Sequence, residues 1–442
     1  MRTAAPPFCL RGSKALRTGE LFLACAVLVC FGAGCGSDDS ASPRRLDPQL
    51  AWYGDNRTRL DDMIVAHGRQ SARWNPARHP IAVFDFDNTV VKNDVGDATF
   101  TYMLAHDAII QPPEGKWRRT SPYMTDAAGA ALDAACAGLA APGSPLPTAA
   151  SPACATEVVT IYQIGKTTAG QAAWEGWNRR RINPGYAWVA QLLAGHTPAE
   201  IRAIAQAARA ENLANPPGTV QTIGTYGGLP HWIRYYEQVT DLIATLEANG
   251  IDVWIVTASP ELIVQAWAPG AGVAAERVIG IRTILTSGTH TYDLAGCGDV
   301  PDGSNDGAGR VTGNSMIPYI DGKRCWIKKV IYGDDSAAAM AQRPPAERPI
   351  FGAGDSVTDL TFLEDATALR LVINRNNAEV MCRAYHNADG AWLVNPMFLD
   401  PKPQRTEPYP CSATACVDAR GVPGPCLDAD GEPIPDQADT VF

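Results

Sequence analysis

The chain has 442 residues, 46% hydrophobic and 19% charged, so wholesale disorder is excluded and there is apolar material for a sizeable core. A formal net charge of -10, with no basic run longer than Arg179-Arg180-Arg181, argues against a nucleic-acid partner, because neutralising phosphates takes clustered Lys and Arg. At roughly 150 residues per domain the length suggests two or three domains.

Residues 1–34 read as an export signal. Arg2, Arg11, Lys14 and Arg17 precede an apolar stretch from Leu21 to about Phe31, shorter than the roughly 20 residues of a spanning helix. Phe31-Gly32-Ala33-Gly34-Cys35 resembles a bacterial lipobox, although Gly32 stands where an aliphatic residue is usual. That resemblance implies lipidation of Cys35 and a membrane anchor in the cell envelope; plain secretory cleavage nearby is the alternative. Cleavage removes four positive charges and one negative, so the mature chain carries -13. It leaves nine of the twelve cysteines, or eight when Cys35 is lipidated. An even number suits an oxidising compartment. Sequence-local pairs would be Cys136 with Cys154 and Cys297 with Cys325, plus two bridges among Cys382, Cys411, Cys416 and Cys426.

Residues 35–50 are small and polar and suit a flexible tether. Pro80-Ile81-Ala82-Val83-Phe84 is a short apolar run ending in Asp85-Phe86-Asp87-Asn88-Thr89, the pattern of a buried parallel strand followed by a polar loop. Ile251–Val256 repeats it, after a helical segment from about His231 to Asn249 with Gly250 in the stop position, and ends in Thr257-Ala258-Ser259. Arg348–Ala353 repeats it again, ending in Gly354-Asp355-Ser356-Val357-Thr358-Asp359. Apolar strands separated by helices predict an α/β, Rossmann-like doubly wound parallel sheet, with ligands in the crevice beyond the strands' carboxyl ends.

The predicted core comprises 51–93 and 251–376. The long insert, 94–250, is rich in Ala and Leu at 126–139 and 199–213, which predicts a mainly helical cap. From about Val278 to Asp321, β-branched residues alternate with turns such as Ser287-Gly288-Thr289 and Thr312-Gly313-Asn314, which predicts β-ribbons. Residues 377–442 read as an irregular Cys/Pro-rich extension. Asp302-Gly-Ser-Asn-Asp306-Gly307 resembles the start of a Ca²⁺ loop, but Gly313 replaces its closing Glu, so it reads as a solvated turn, as does Asp428-Ala-Asp430-Gly431.

Asp85, Asp87, Asp355 and Asp359 would converge at the strand ends. Carboxylates gathered this way suit a nucleophile, a general acid/base and a metal site, and Mg²⁺ is the natural counter-ion, being hard and oxygen-seeking. Thr257 offers a hydroxyl and Lys323 a point charge for phosphate.

Asp85-x-Asp87-x-Thr89, Thr257, Lys323 and Gly354-Asp355-x-x-x-Asp359, in that order at strand ends, resemble the four motifs of the haloacid dehalogenase superfamily, specifically its phosphatases. The resemblance implies that Asp85 attacks phosphorus and Asp87 acts as general acid and then base. It also implies that Thr257 and Lys323 hold phosphoryl oxygens. Asp85, Asp355 and Asp87, the last through its backbone carbonyl, would hold Mg²⁺, with Asp359 orienting the metal shell and Lys323. Lys323, rather than Lys328 or Lys329, opens a helix with the apolar spacing seen after the motif lysine in phosphoserine phosphatases.

In those phosphatases an acidic residue at the position of Asp94 meets the substrate ammonium, and an arginine grips the carboxylate; Val189 stands at the arginine's place here, unless Arg179, Arg180 or Arg181 substitutes. Trp174, Trp177, Tyr186 and Trp188 could face a quaternary ammonium group, each worth about 0.5–2 kcal/mol, or could pack the cap core. The expected activity is therefore Mg²⁺-dependent hydrolysis of a small phosphate ester, with phosphocholine or phosphoethanolamine as candidates. A phosphoserine phosphatase and a choline-binding surface module on the same scaffold are the alternatives.

Overall fold

Ile81–Phe84 can be a strand only where both of its faces are covered, and they are: Ala82 and Phe84 pack into one apolar cluster and Val83 into another. The computed structural model describes residues 42–297, 316–334 and 336–442. The export signal, Cys35, the tether as far as residue 41, and the turns at Asp302–Gly307 and 312–314 lie outside the described residues.

Helix α1 (Asn56–His67) leads to β1 (Ile81–Phe84), β2 (Val91–Lys92) and α2 (Val95–Ala105). Four helices follow: α3 (Asp126–Ala135), α4 (Pro152–Ile164), α5 (Pro184–Gln191) and α6 (Pro198–Ala214). The last starts at a capping box of Thr197 and Glu200, which satisfies amides left free in the first turn. A hairpin of β3 (Val220–Ile223) and β4 (Tyr226–Pro230) precedes β5 (Arg234–Tyr235), which pairs antiparallel with β2. The helix expected from about His231 is shorter, because its first residues form β5; α7 spans Glu237–Ala248. Beyond Asn249, Gly250 adopts φ 77°, a left-handed turn that ends the helix and aims the chain into the sheet.

Then come β6 (Asp252–Pro260), α8 (Glu261–Trp267), β7 (Val278–Ile281) and a hairpin of β8 (Thr283–Thr286) and β9 (Thr289–Leu294). The β-ribbon reading of 278–321 is corrected at its start: Val278–Ile281 is wholly buried and joins the central sheet beside β6. The chain continues through α9 (Asp321–Tyr332), β10 (Phe351–Gly354), α10 (Leu360–Asp365), β11 (Leu369–Asn374), α11 (Ala378–His386) and β12 (Trp392–Pro396). It closes with the short pair β13 (Cys416–Val417) and β14 (Pro423–Gly424).

Six strands form one parallel sheet in the order β12-β11-β10-β1-β6-β7. The chain direction of winding reverses at β1 and β10, which opens a crevice beyond their carboxyl ends. The extension assigned to 377–442 is also corrected. Its first part, α11 and β12, completes the sheet, because Leu393 is apolar enough to pack against β11 as an edge strand. The remainder is irregular, and Asp428 there caps a turn by accepting the Asp430 and Glu432 amides. Disulfides join Cys136–Cys154, Cys297–Cys325, Cys382–Cys411 and Cys416–Cys426. No helix among the described residues is long and apolar enough to cross a membrane.

Candidate active site

The parallel pairing of β1 with β10 continues one step past the strand, where the Asp85 amide donates to Ala353 O at 2.9 Å, so Asp85 and Asp355 emerge side by side. Asp85, Asp355 and Asp359 are buried, each offering a carboxylate oxygen within 4.8 Å of the others. The Thr89 hydroxyl lies 3.2 Å from both Asp85 Oδ2 and Asp355 Oδ1. Burial, followed by the charge of Asp359, pushes the Asp85 carboxyl well above the usual range, against the pull of Lys323. Burial raises Asp355 too, opposed by Arg375.

Lys323 has no exposed surface, and its ammonium donates to Asp85 Oδ1 at 2.7 Å and Asp359 Oδ1 at 2.6 Å. Burial alone would lower its pKa; Asp359 and Asp85 outweigh that and raise it. Lys328 and Lys329 point elsewhere, to Glu347 O and Gly296 O. Asp359 Oδ2 accepts the Asp355 and Ser356 amides at 2.9 and 3.1 Å, and its Oδ1 also accepts the Thr358 hydroxyl. With both oxygens engaged, Asp359 orients the lysine and the loop. Gly354 makes room for it, since a Cβ there would lie 2.6 Å from Asp359 Oδ2.

Asp87 is directed away from this acidic group. Its Oδ1 accepts the Val95 amide at 2.7 Å, and its Oδ2 accepts the Ser259 hydroxyl at 2.7 Å and the Thr257 hydroxyl at 3.3 Å. Burial and then the nearby Asp94 push its carboxyl well above the usual range. Asp94 caps α2 by accepting the Asp97 amide at 2.9 Å. A small cavity above these groups is lined by Asp85, Asp87, Thr257, Asp355, Val189 and Arg375, among others. It shares Asn88, Asp94, Tyr162, Tyr186 and Arg375 with a larger cavity of about 770 Å³.

Trp174 and Trp177 line the larger cavity, with the Arg179 guanidinium 4.2 Å from the Trp177 ring centroid. Trp188 is a correction: it is wholly buried, lines neither cavity, donates to Thr120 Oγ1 at 2.8 Å and packs edge-on against Trp117 and Trp174. On α5 its side of the helix faces the apolar interior. Arg179 lines the larger cavity, whereas Arg180 is held by Glu379 at 2.6 Å.

Sequence reasoning missed Ser259, Asp97, Tyr162 and Arg375. Arg375 follows β11 and donates to Asp355 Oδ2 at 2.5 Å. Asp97 and Tyr162 are hydrogen-bonded to each other on the cavity wall. Only Ser259 carried a local signal, as a second hydroxyl two residues past Thr257.

Residues 156–364, which carry Thr257, Lys323, Asp355 and Asp359, match the family described as haloacid dehalogenase-like hydrolase. The match covers a little under half of the chain. Asp85 and Asp87 precede the matched stretch, and the sheet brings them to it. Among solved structures, a conserved functionally unknown protein from Anaerococcus prevotii DSM 20548 is similar at 21% identity and a TM-score of 0.57, over 79% of this chain and 94% of that one. That likeness is one of fold. A protein with unknown function from Bordetella pertussis Tohama I is similar at 16% identity and a TM-score of 0.40, over 72% of this chain and 98% of that one. A substrate-bound phosphoserine phosphatase has 12% identity and a TM-score of 0.28, over 66% of this chain and 85% of that one. None of the curated proteins compared matches the chain.

Proposed function

We propose that the protein is a phosphomonoesterase of the haloacid dehalogenase type that works through an aspartyl-phosphate on Asp85. The observation that carries the reading is the division of labour between two neighbouring carboxylates: Asp85 lies among Lys323, Asp355 and Asp359, while Asp87 is turned toward Ser259 and Val95. Asp85 bonds to phosphorus as the ester oxygen departs, and Asp87 gives that oxygen its proton. Water then attacks phosphorus, Asp87 takes its proton, and inorganic phosphate leaves with the Asp85 carboxylate restored.

Three buried carboxylates beside one lysine form a hard-oxygen donor set with negative charge in excess, which fits Mg²⁺. Asp85 and Asp355 would hold it with the Asp87 carbonyl, and when bound it supplies charge neutralisation at the phosphoryl group. Thr257 offers a hydroxyl to the phosphoryl oxygens. Asp94 and Asp97, set among Tyr162, Tyr186 and Trp177 on the cavity wall, favour an alcohol bearing a cation. Val189, which lines the small cavity, offers no charge to a substrate carboxylate. Four disulfides suit an exported protein, and lipidation at Cys35 would anchor it to a membrane.

The test is a panel of phosphocholine, phosphoethanolamine and phosphoserine with and without Mg²⁺. Hydrolysis that needs Mg²⁺ and prefers the first two esters is expected. Preference for phosphoserine would refute the substrate assignment. Choline binding without any hydrolysis would replace the enzyme with a binding module.

A further inference from the structure

We propose that Arg375 contacts the substrate and grips its phosphoryl group, an assignment that rests on the phosphomonoesterase reading above. The positive charge expected from the motif residues is withheld from the cavity. Lys323 is enclosed between Asp85 and Asp359 and lines neither cavity. The small cavity instead presents Asp85, Asp87, Asp94 and Asp355, and among its lining residues Arg375 is the sole cation. A phosphate ester entering with roughly two negative charges would meet a wall of carboxylates. The guanidinium is the protein group that answers it.

The geometry suits that role. A guanidinium carries five N–H donors in a rigid fork matched to phosphate oxygens. Nη1 is fixed on Asp355 Oδ2, and no acceptor among the described residues is bonded to Nε or Nη2. The side chain keeps 37% of its surface exposed, at the junction of the two cavities. Its backbone is anchored as well. The preceding Asn374 donates from Nδ2 to Val441 O at 2.6 Å and to Asp439 Oδ1 at 3.0 Å, and its Oδ1 accepts the Asn376 amide at 2.8 Å. Held this way, Arg375 would fix the phosphate in the small cavity and leave the alcohol in the larger one.

A competing role is purely local, in which Arg375 only neutralises Asp355. Titrating inorganic phosphate calorimetrically into wild type, Arg375→Met and Arg375→Lys at saturating Mg²⁺, alongside kcat/KM for p-nitrophenyl phosphate, separates the two. Arg375→Met should weaken phosphate binding and lower kcat/KM by about a hundredfold. Arg375→Lys, which keeps the charge but loses the fork, should cost about tenfold and carries the test should the methionine variant not fold. Values within about threefold of wild type in a folded variant, or a loss fully reversed by more Mg²⁺, would overturn the assignment. A wild type that binds phosphate but hydrolyses no ester would remove the hydrolase reading instead, while its phosphate affinity still judges Arg375.

Discussion

Ser259 donates its hydroxyl to Asp87 Oδ2 at 2.7 Å, from the end of the same strand that supplies Thr257. This bond holds the rotamer from which Asp87, in the proposed mechanism, reaches both the departing oxygen and the incoming water. Ser259→Ala should lower kcat about tenfold and leave KM nearly unchanged, as expected for loss of one hydrogen bond to a charged group. Steady-state kinetics on any accepted ester checks this.

Replacing the two carboxylates should give different signatures. Asp85→Asn removes the proposed nucleophile and should cost at least about a thousandfold in kcat. Asp87→Asn should remain able to accept phosphate from p-nitrophenyl phosphate, whose leaving group needs no proton, yet fail to release it. A phosphorylated chain seen by intact-mass spectrometry in the second variant and absent in the first is the expected pattern.

Gly354→Ala should act at a distance from any substrate. The new methyl would sit 2.6 Å from Asp359 Oδ2 and force that side chain off the Asp355 and Ser356 amides. Overpacking of this kind costs about 1–3 kcal/mol, measurable by chemical denaturation, and misplacing Asp359 should also loosen Lys323 and lower activity.

Asp97 supplies a pH dependence. Burial, followed by the charge of Asp94, pushes its carboxyl up to about 7, while bonds from Tyr162 and Gln163 and the charge of Arg375 work the other way. Between about pH 4 and 7 the folded state keeps a proton that the unfolded chain has released. Its contribution to stability is therefore full below about pH 4 and lost as pH rises through 7. Relative to Asp97→Asn, wild type should lose Tm across that window and run parallel above it. Ionisation also adds a negative charge to the cavity wall. The KM for phosphoethanolamine, divided by that for an uncharged-alcohol ester such as glycerol phosphate, should fall from about pH 6 to about pH 8 in wild type and stay flat in the variant.

The strand-end carboxylates could be read from sequence because each lies directly behind a short apolar run, a local pattern that the sheet converts into convergence. Strand order could not, since nothing in Phe351–Gly354 or Asp252–Pro260 says that the two flank β1 on opposite sides. Trp188 was misplaced because an aromatic residue on a short helix suits a cavity wall and a packed interior equally well, and only the neighbouring Trp117 decides between them. Arg375 gave no local sign. Its meaning comes from β11 lying next to β10, which sets it against an Asp355 twenty positions earlier.

The sheet order also bears on how the protein is made. β1 is the first of the six strands to leave the ribosome, yet it lies in the middle, between β6 and β10. Thr89 must wait 266 residues for its bond to Asp355. Until both flanking strands have arrived, the segment bearing Asp85 and Asp87 has open hydrogen-bonding edges and no cation beside it, a state prone to mispairing and in need of shielding. Catalytic competence should thus appear in a single step, after Arg375 has emerged, and a nascent chain truncated before Asp355 should carry none of it.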